Sequence, residues 1–159
     1  MPQTPALIEV VLDTRTGQRG EVAAWVSAFQ HVWTAPGANL ERLLALMSED
    51  VVLRAPTTPP VSRGRAAGRA AFTRALRAMP DLRAEVLRWS STGDTLFIEM
   101  TFHATVGGAP VAWGNVDRFI FRDGQAIERL AYFDPSKVRK HFLRSPAGWR
   151  QLARMRLGM

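Results

Sequence analysis

Between Thr95 and Asp134 apolar and polar residues alternate in three runs. Gly107-Gly108-Ala109-Pro110 separates the first run from the second, and Asp123-Gly124 the second from the third. Period-two alternation cut by glycine-containing turns predicts a β-meander. A four-residue turn is expected at Gly107 to Pro110. A three-residue turn with a bulge is expected at Arg122 to Gly124, where Gly124 supplies the φ > 0 that such a hairpin requires. One face of the middle run then carries Trp113, Asn115, Asp117, Phe119 and Phe121. The run before it offers Ile98, Met100, Phe102 and Ala104. The second turn sets Asp117 opposite Arg129, with Ala131 and Phe133 on the same face.

Upstream the period lengthens. Thr4-Pro5 has the form of an N-cap and first helical residue, so 5–12 is read as a short helix, with an extended arm as the alternative. Residues 14–20 read as a linker. Val22, Trp25, Val26, Phe29 and Trp33 form one stripe of a helix over Glu21 to Trp33. Pro36 and Gly37 are expected to end it, and Asn39 to cap a second helix whose apolar side is Leu40, Leu43, Leu44 and Met47. Val51 to Arg54 reads as a short strand. Pro56, Pro59 and Pro60 forbid helix in 55–64. A helix over Arg65 to Met79 stops at Pro80, and Leu82 to Trp89 alternates as a strand. Asp134-Pro135 opens a helix to about Arg144 and Ser145-Pro146 another to about Leu157.

Helices segregated from a mostly antiparallel sheet define an α+β class. A curved sheet wrapped round the N-terminal helices would form a cone-shaped pocket, with a C-terminal helical extension. The chain, 1–159, is read as a single domain, with its core over about 21–138 and a basic helical tail over 135–159.

Composition narrows the chemistry. With 159 residues and 47% apolar content, a real core is possible. There is no cysteine, which removes disulfides and thiolate metal sites. No apolar run approaches the ~20 residues that span a bilayer. The first residues carry no early positive charge, so no signal peptide is read there and a cytoplasmic location is expected. The net charge of +7 is unevenly placed. Residues 1–134 hold fourteen cations and fourteen anions. The rest adds Lys137, Arg139, Lys140, Arg144, Arg150, Arg154 and Arg156 with no acid. This argues against a nucleic-acid groove across the domain. The tail either meets an acidic protein partner or docks through Val138, Phe142, Trp149 and Leu152 and shows its arginines to water.

The layout resembles the nuclear transport factor two-like superfamily, which includes ketosteroid isomerase, limonene-epoxide hydrolase and the SnoaL-like polyketide cyclases. The resemblance covers roughly 21–138. It rests on LLALMSEDVVLRAP (43–56), Gly64 or Gly68 before a helix, VDRFIFRDG (116–124) and AYFDP (131–135). It implies a homodimer through the outer sheet face and a site for a hydrophobic small molecule. Asp117 matches the hydrogen-bonding aspartate of the isomerases, but their general base falls at Ala55. The hydrolase positions hold Leu53, Ala55, Met100, Phe102 and Ala131, so that catalytic set is gone. The cyclases' His and Asp correspond to His103 and Asp117.

The candidate catalytic residues are therefore Asp117, Arg129 and His103. The candidate substrate-binding residues are Trp25, Phe29, Leu53, Met100, Phe102, Trp113, Asn115, Phe119 and Phe133. An apolar pocket with a few convergent polar groups is the usual form of a small-molecule site. Paired with Arg129, Asp117 stays ionised and serves as a base or an anchor; unpaired among aromatics, it is held protonated as a donor, a behaviour for which ketosteroid isomerase is the reference case. A purely structural Asp117–Arg129 ion pair is the competing reading. His103 needs a β-bulge to reach Asp117, because odd positions of its strand face away. Trp25 and Phe29 serve the core, the ligand or both. His31, His103 and His141 show no paired metal-ligand spacing, and no glycine-rich phosphate loop follows a strand, so neither metal nor cofactor is expected. The resulting expectation is a cofactor-independent cyclase or isomerase working by general acid–base catalysis on a polyketide-, terpenoid- or steroid-like compound. The alternatives are a non-catalytic binding module and an epoxide hydrolase with rearranged acids.

Overall fold

The computed structural model describes residues 18–57 and 59–157, and the helix expected over 5–12 lies outside them. Eleven elements follow in order: α1 (Gln18–Thr34), α2 (Pro36–Ala45), β1 (Met47–Arg54), β2 (Val61–Arg63), α3 (Gly64–Ala78), β3 (Arg83–Thr92), β4 (Thr95–Val106), β5 (Ala109–Arg122), β6 (Gln125–Tyr132), α4 (Pro135–Leu143) and α5 (Pro146–Leu157). The strands form one sheet in the order β2-β1-β6-β5-β4-β3. Every neighbouring pair is antiparallel except β1 and β6, which run parallel. This is the expected α+β cone. α1 packs on β3 and α3 on β1, so both helices close the concave face.

The apolar stripe of α1 becomes the core. Val22 is half-buried, while Trp25, Val26, Phe29, Val32 and Trp33 are buried. They meet the even positions of β4, Leu96 to Val106, and the odd positions of β5, Val111 to Phe119. Trp25 stacks on Phe29 and meets Phe119 and Phe121 edge-on. Its indole N–H is satisfied by the Leu46 carbonyl at 3.1 Å. A chain of ring contacts continues through Trp33 and Phe102 to Trp113.

Several expected boundaries move. α1 begins at Gln18, inside the stretch read as a linker. Pro36 starts α2 rather than ending α1, because a first-turn N–H has no intrahelical partner to lose. Asn39 sits at a kink within α2, with non-helical φ −122° and ψ 18°, just before the turns that carry Leu43 and Leu44, and its side-chain amide donates back to Ala35 O. β1 runs from Met47, four residues earlier than expected. A short edge strand, β2, pairs with β1 beyond the proline-rich turn.

Both hairpins are tighter than expected. Val106 pairs with Ala109 across Gly107-Gly108, at φ 64° and 85°. Arg122 pairs with Gln125 across Asp123-Gly124, at φ 51° and 75°. Two successive positive φ values belong to the type I′ turn, whose twist matches that of the strands. A register shift between Ile120 and Phe121 then follows the second turn. Asp117 therefore lies opposite Ala131, and Arg129 opposite Phe119. The parity survives, so Asp117 and Arg129 still share the concave face, one diagonal step apart.

The tail docks on the narrow hairpin. Asp134 caps α4 by accepting from Ser136 N at 2.9 Å. Val138 and Phe142 are buried. Gln151 accepts from Gly107 N at 2.6 Å and donates to Ala78 O and Thr105 O, both at 3.0 Å.

Candidate functional site

The inward residues of β5 alternate from aromatic to polar and back, through Trp113, Asn115, Asp117 and Phe119. Asp117 is fully buried, and Asn115 and Arg129 are 3% and 8% exposed. Arg129 Nε donates to Asp117 Oδ2 at 2.7 Å. Asn115 Nδ2 donates to Asp117 Oδ1 at 2.9 Å. Both carboxylate oxygens thus accept, one of them from a cation. The guanidinium carbon of Arg129 lies 6.0 Å from the ring centroid of Trp33 and 5.6 Å from that of Phe72. Cation–π attraction of this kind holds the arginine against α1 and α3. Apolar walls make the pair strong and its disruption costly.

Two buried atoms beside this pair have no hydrogen-bond partner among the described residues: Trp33 Nε1 and Asn115 Oδ1. An unmet buried donor or acceptor costs about 1–3 kcal/mol, so such atoms are rare and call for a reason.

The structure brings together Trp25, Phe29, Met100, Phe102, Trp113, Asn115, Phe119, Asp117 and Arg129, as expected. Leu53 is buried, faces Arg129 across the β1–β6 ladder and packs against α3 at Gly68. Phe133 stands apart. It lines an apolar cleft of about 720 Å³ beyond the end of the β1–β6 ladder, with Ala55, Pro60, Val61, Leu130, Ala131 and Tyr132. Ala131 is the cross-strand neighbour of Asp117, so this cleft ends one strand spacing, about 4.8 Å, from the carboxylate's strand.

His103 does not join the site. It sits at an odd position of β4, opposite Ala112 and Arg83. The register shift nearby falls on β3, between Val86 and Arg88, and leaves β4 regular. His103 lines instead a depression of about 190 Å³ on the other side of the sheet, with Asp81 and Thr105. That volume is below the range of small-molecule sites.

Trp33 and Phe72 are the site residues that the residue pattern did not single out. Trp33 was visible as the last member of the α1 stripe, two turns beyond Trp25. Phe72 lies on an arginine-rich helix with no clean apolar face. Among the described residues no group of His, Cys, Asp or Glu has the geometry of a metal site.

A six-stranded sheet curled over two helices, with polar groups converging on its concave face, is the nuclear transport factor two-like fold. The SnoaL-like domain family matches residues 22–129, and the chain belongs to that family. No curated protein matches the chain. A proposed SnoaL-like polyketide cyclase from Jannaschia sp. superposes with a TM-score of 0.74 at 16% identity, covering 85% of this chain and 100% of that one. A protein of ketosteroid isomerase-like fold from Catenulispora acidiphila, in complex with trimethylamine, gives 0.67 at 20% identity, covering 79% and 95%. A proposed polyketide cyclase from Xanthomonas campestris gives 0.64 at 19%, covering 78% and 98%. At these identities the likeness is one of fold.

Proposed function

We propose that the chain binds a hydrophobic, oxygenated small molecule, polyketide-, terpenoid- or steroid-like, against the concave face of its sheet and moves a proton on it as a cofactor-independent cyclase or isomerase. One observation carries the reading: a fully buried carboxylate held between a guanidinium and an amide, among aromatic rings, in a chain of this family. Cyclisation by carbon–carbon bond formation and double-bond migration can share a first step, removal of a proton α to a carbonyl. Asp117 takes that proton, and the C–H electron pair moves into the enolate. Arg129 engages Asp117 through Nε, which leaves its two NH₂ groups to donate to the enolate oxygen. Asp117, now protonated, returns the proton to another carbon in isomerisation, or to the alkoxide formed when the enolate carbon attacks a second carbonyl. Asn115 orients the carboxylate.

A second reading, binding without turnover, is favoured by the saturation of both Asp117 oxygens and by their complete burial. In either reading the protein is taken as cytoplasmic and as a homodimer paired across the outer sheet face. The basic tail is read as a surface for an acidic protein. No helix among the described residues is long and apolar enough to cross a membrane.

The test uses tetralone, a compact aromatic ketone, in deuterated water. The enzyme reading expects exchange at the carbon α to the carbonyl above the buffer rate. Asp117→Asn should slow it by about two orders of magnitude or more while leaving tetralone affinity nearly unchanged. Binding without exchange supports the second reading. Failure of tetralone to bind, with no guest co-purifying in native mass spectrometry, rejects both.

A further inference from the structure

The two residues that carry the unpartnered atoms lie over the same stretch of sheet. The ring of Trp33 stands 5.0 Å from that of Phe102 on β4 and 6.0 Å from the guanidinium carbon of Arg129 on β6. β5 runs between those strands. Trp33 therefore bridges β5 where it carries Trp113, Asn115 and Asp117 inward, and Asn115 is the middle of the three. The amide orientation of Asn115 follows from chemistry. A carboxylate that takes a hydrogen bond from Arg129 accepts from the NH₂ of Asn115 as well, so the amide oxygen is turned away from it. Among the described residues the concave face thus presents a buried donor, Trp33 Nε1–H, and a buried acceptor, Asn115 Oδ1. They do not satisfy each other.

From this we infer that Trp33 and Asn115 form a recognition pair for a hydroxyl group of the ligand, a phenol or an enol, placed next to Asp117 and Arg129. A hydroxyl can accept from the indole N–H and donate to the amide oxygen at once, as a water molecule also can. A carbonyl oxygen meets only Trp33, and an ammonium donor meets only Asn115. Phe102 and Trp113, stacked 5.4 Å apart, supply aromatic surface beside the same point. The inference rests on the proposed ligand site and adds to it a chemical preference: hydroxylated aromatics over their deoxygenated counterparts. Because the pair abuts Asp117, a hydroxyl seated there fixes which carbon of the ligand faces the carboxylate. Trp33 and Asn115 are positioning residues in this scheme, and neither transfers the proton.

Naphthol and methylnaphthalene, which differ in a hydroxyl for a methyl, make the probe pair. With the native chain, naphthol should bind about tenfold more tightly or better, read by quenching of tryptophan fluorescence. Trp33→Phe keeps a ring and removes the donor. It should reduce the preference to within about threefold through loss of naphthol affinity alone. The native protein gives an independent reading if that variant fails to fold. The Trp33 indole proton, assigned by its contacts to Phe102 and Arg129, should shift downfield with naphthol and stay in place with methylnaphthalene. Equal affinities for the two compounds overturn the hydroxyl preference and leave the ligand site standing. An indole proton that cross-relaxes with water and ignores naphthol assigns the pair to a bound water and also overturns it. If neither compound nor tetralone binds, the ligand site itself fails and the inference with it. Naphthol selectivity without tetralone exchange supports the inference and identifies a binding module.

Discussion

Among the described residues Asp117 and Arg129 are each other's only charged partner at the site, and the consequence is a sharp asymmetry between losing one and losing both. Arg129→Met leaves a fully buried carboxylate with a single amide for company. Such stranded charges cost about 3–5 kcal/mol. The double variant Asp117→Leu with Arg129→Met exchanges the pair for apolar contacts and should recover most of that loss, ending within about 1–2 kcal/mol of the native chain. Urea unfolding of the two variants checks it; a single variant as stable as the double would show that the pair is not desolvated as described. The pairing was legible because strand parity is robust: a turn of two residues with a bulge and a turn of three both leave 117 and 129 on one face. Which donors Asp117 accepts from was not, since that depends on where one guanidinium points. Nor was the status of Trp33. Helical period assigns its ring to the core but says nothing of whether its N–H is met.

At the level of elements, close approach explains what periodicity could not. The start of α5 crosses α4 so tightly that a Cβ at Gly148 would lie 2.2 Å from Phe142 O. Gly148→Ala should therefore separate the two helices and lower stability by about 1–3 kcal/mol, or a few degrees of Tm. A thermal scan unchanged by the substitution would contradict the crossing. The sequence marks Ser145-Pro146 as a helix start, yet it does not mark Gly148 as the crossing point, because that depends on the direction of approach. A second tie joins the turn before β3 to β4. Asp81 accepts from Thr105 N at 3.0 Å with each oxygen and from Thr105 Oγ1 at 2.7 Å. These bonds, led by the hydroxyl, hold its carboxyl below the usual aspartate range against an opposing effect of burial. A lowered folded value means that the stabilisation is complete above the unfolded value, about 3.9, and fades as pH falls through the lower folded one. Thr105→Val should flatten the acid limb of the stability–pH curve below about pH 4 and leave it alone near pH 7. Register shows the same division. The alternation fixed which residues of β4, β5 and β6 face inward, whereas the bulge after Asp123-Gly124 decided which of them meet.

Seen as a whole, the molecule separates its charge and its apolar surface. The tail carries seven cations and no acid, while the outer sheet face holds ion pairs of its own: Arg88 with Glu99, and both Arg54 and Arg118 with Glu128. Phe97 and Tyr132 stand on that same face, 44% and 49% exposed, with Val116, Ile120 and Leu130 half-buried around them. A face on which several charges are already paired within the chain offers apolar area to a second copy at a lower cost in stranded ions. The proposed homodimer should therefore hold together through that area. Light scattering on a sizing column should give twice the 17.7 kDa chain mass at micromolar concentration. The mass should change little as salt rises to about 0.5 M, because screening weakens only exposed charge–charge terms. Phe97→Asp combined with Tyr132→Asp places two unpaired anions in the contact and should return the single-chain mass. Both side chains point away from the concave face, so tetralone and naphthol binding should persist in the monomer. A native chain that elutes at 17.7 kDa would instead assign Phe97 and Tyr132 to ordinary solvent-facing surface, as would a dimer indifferent to the double substitution.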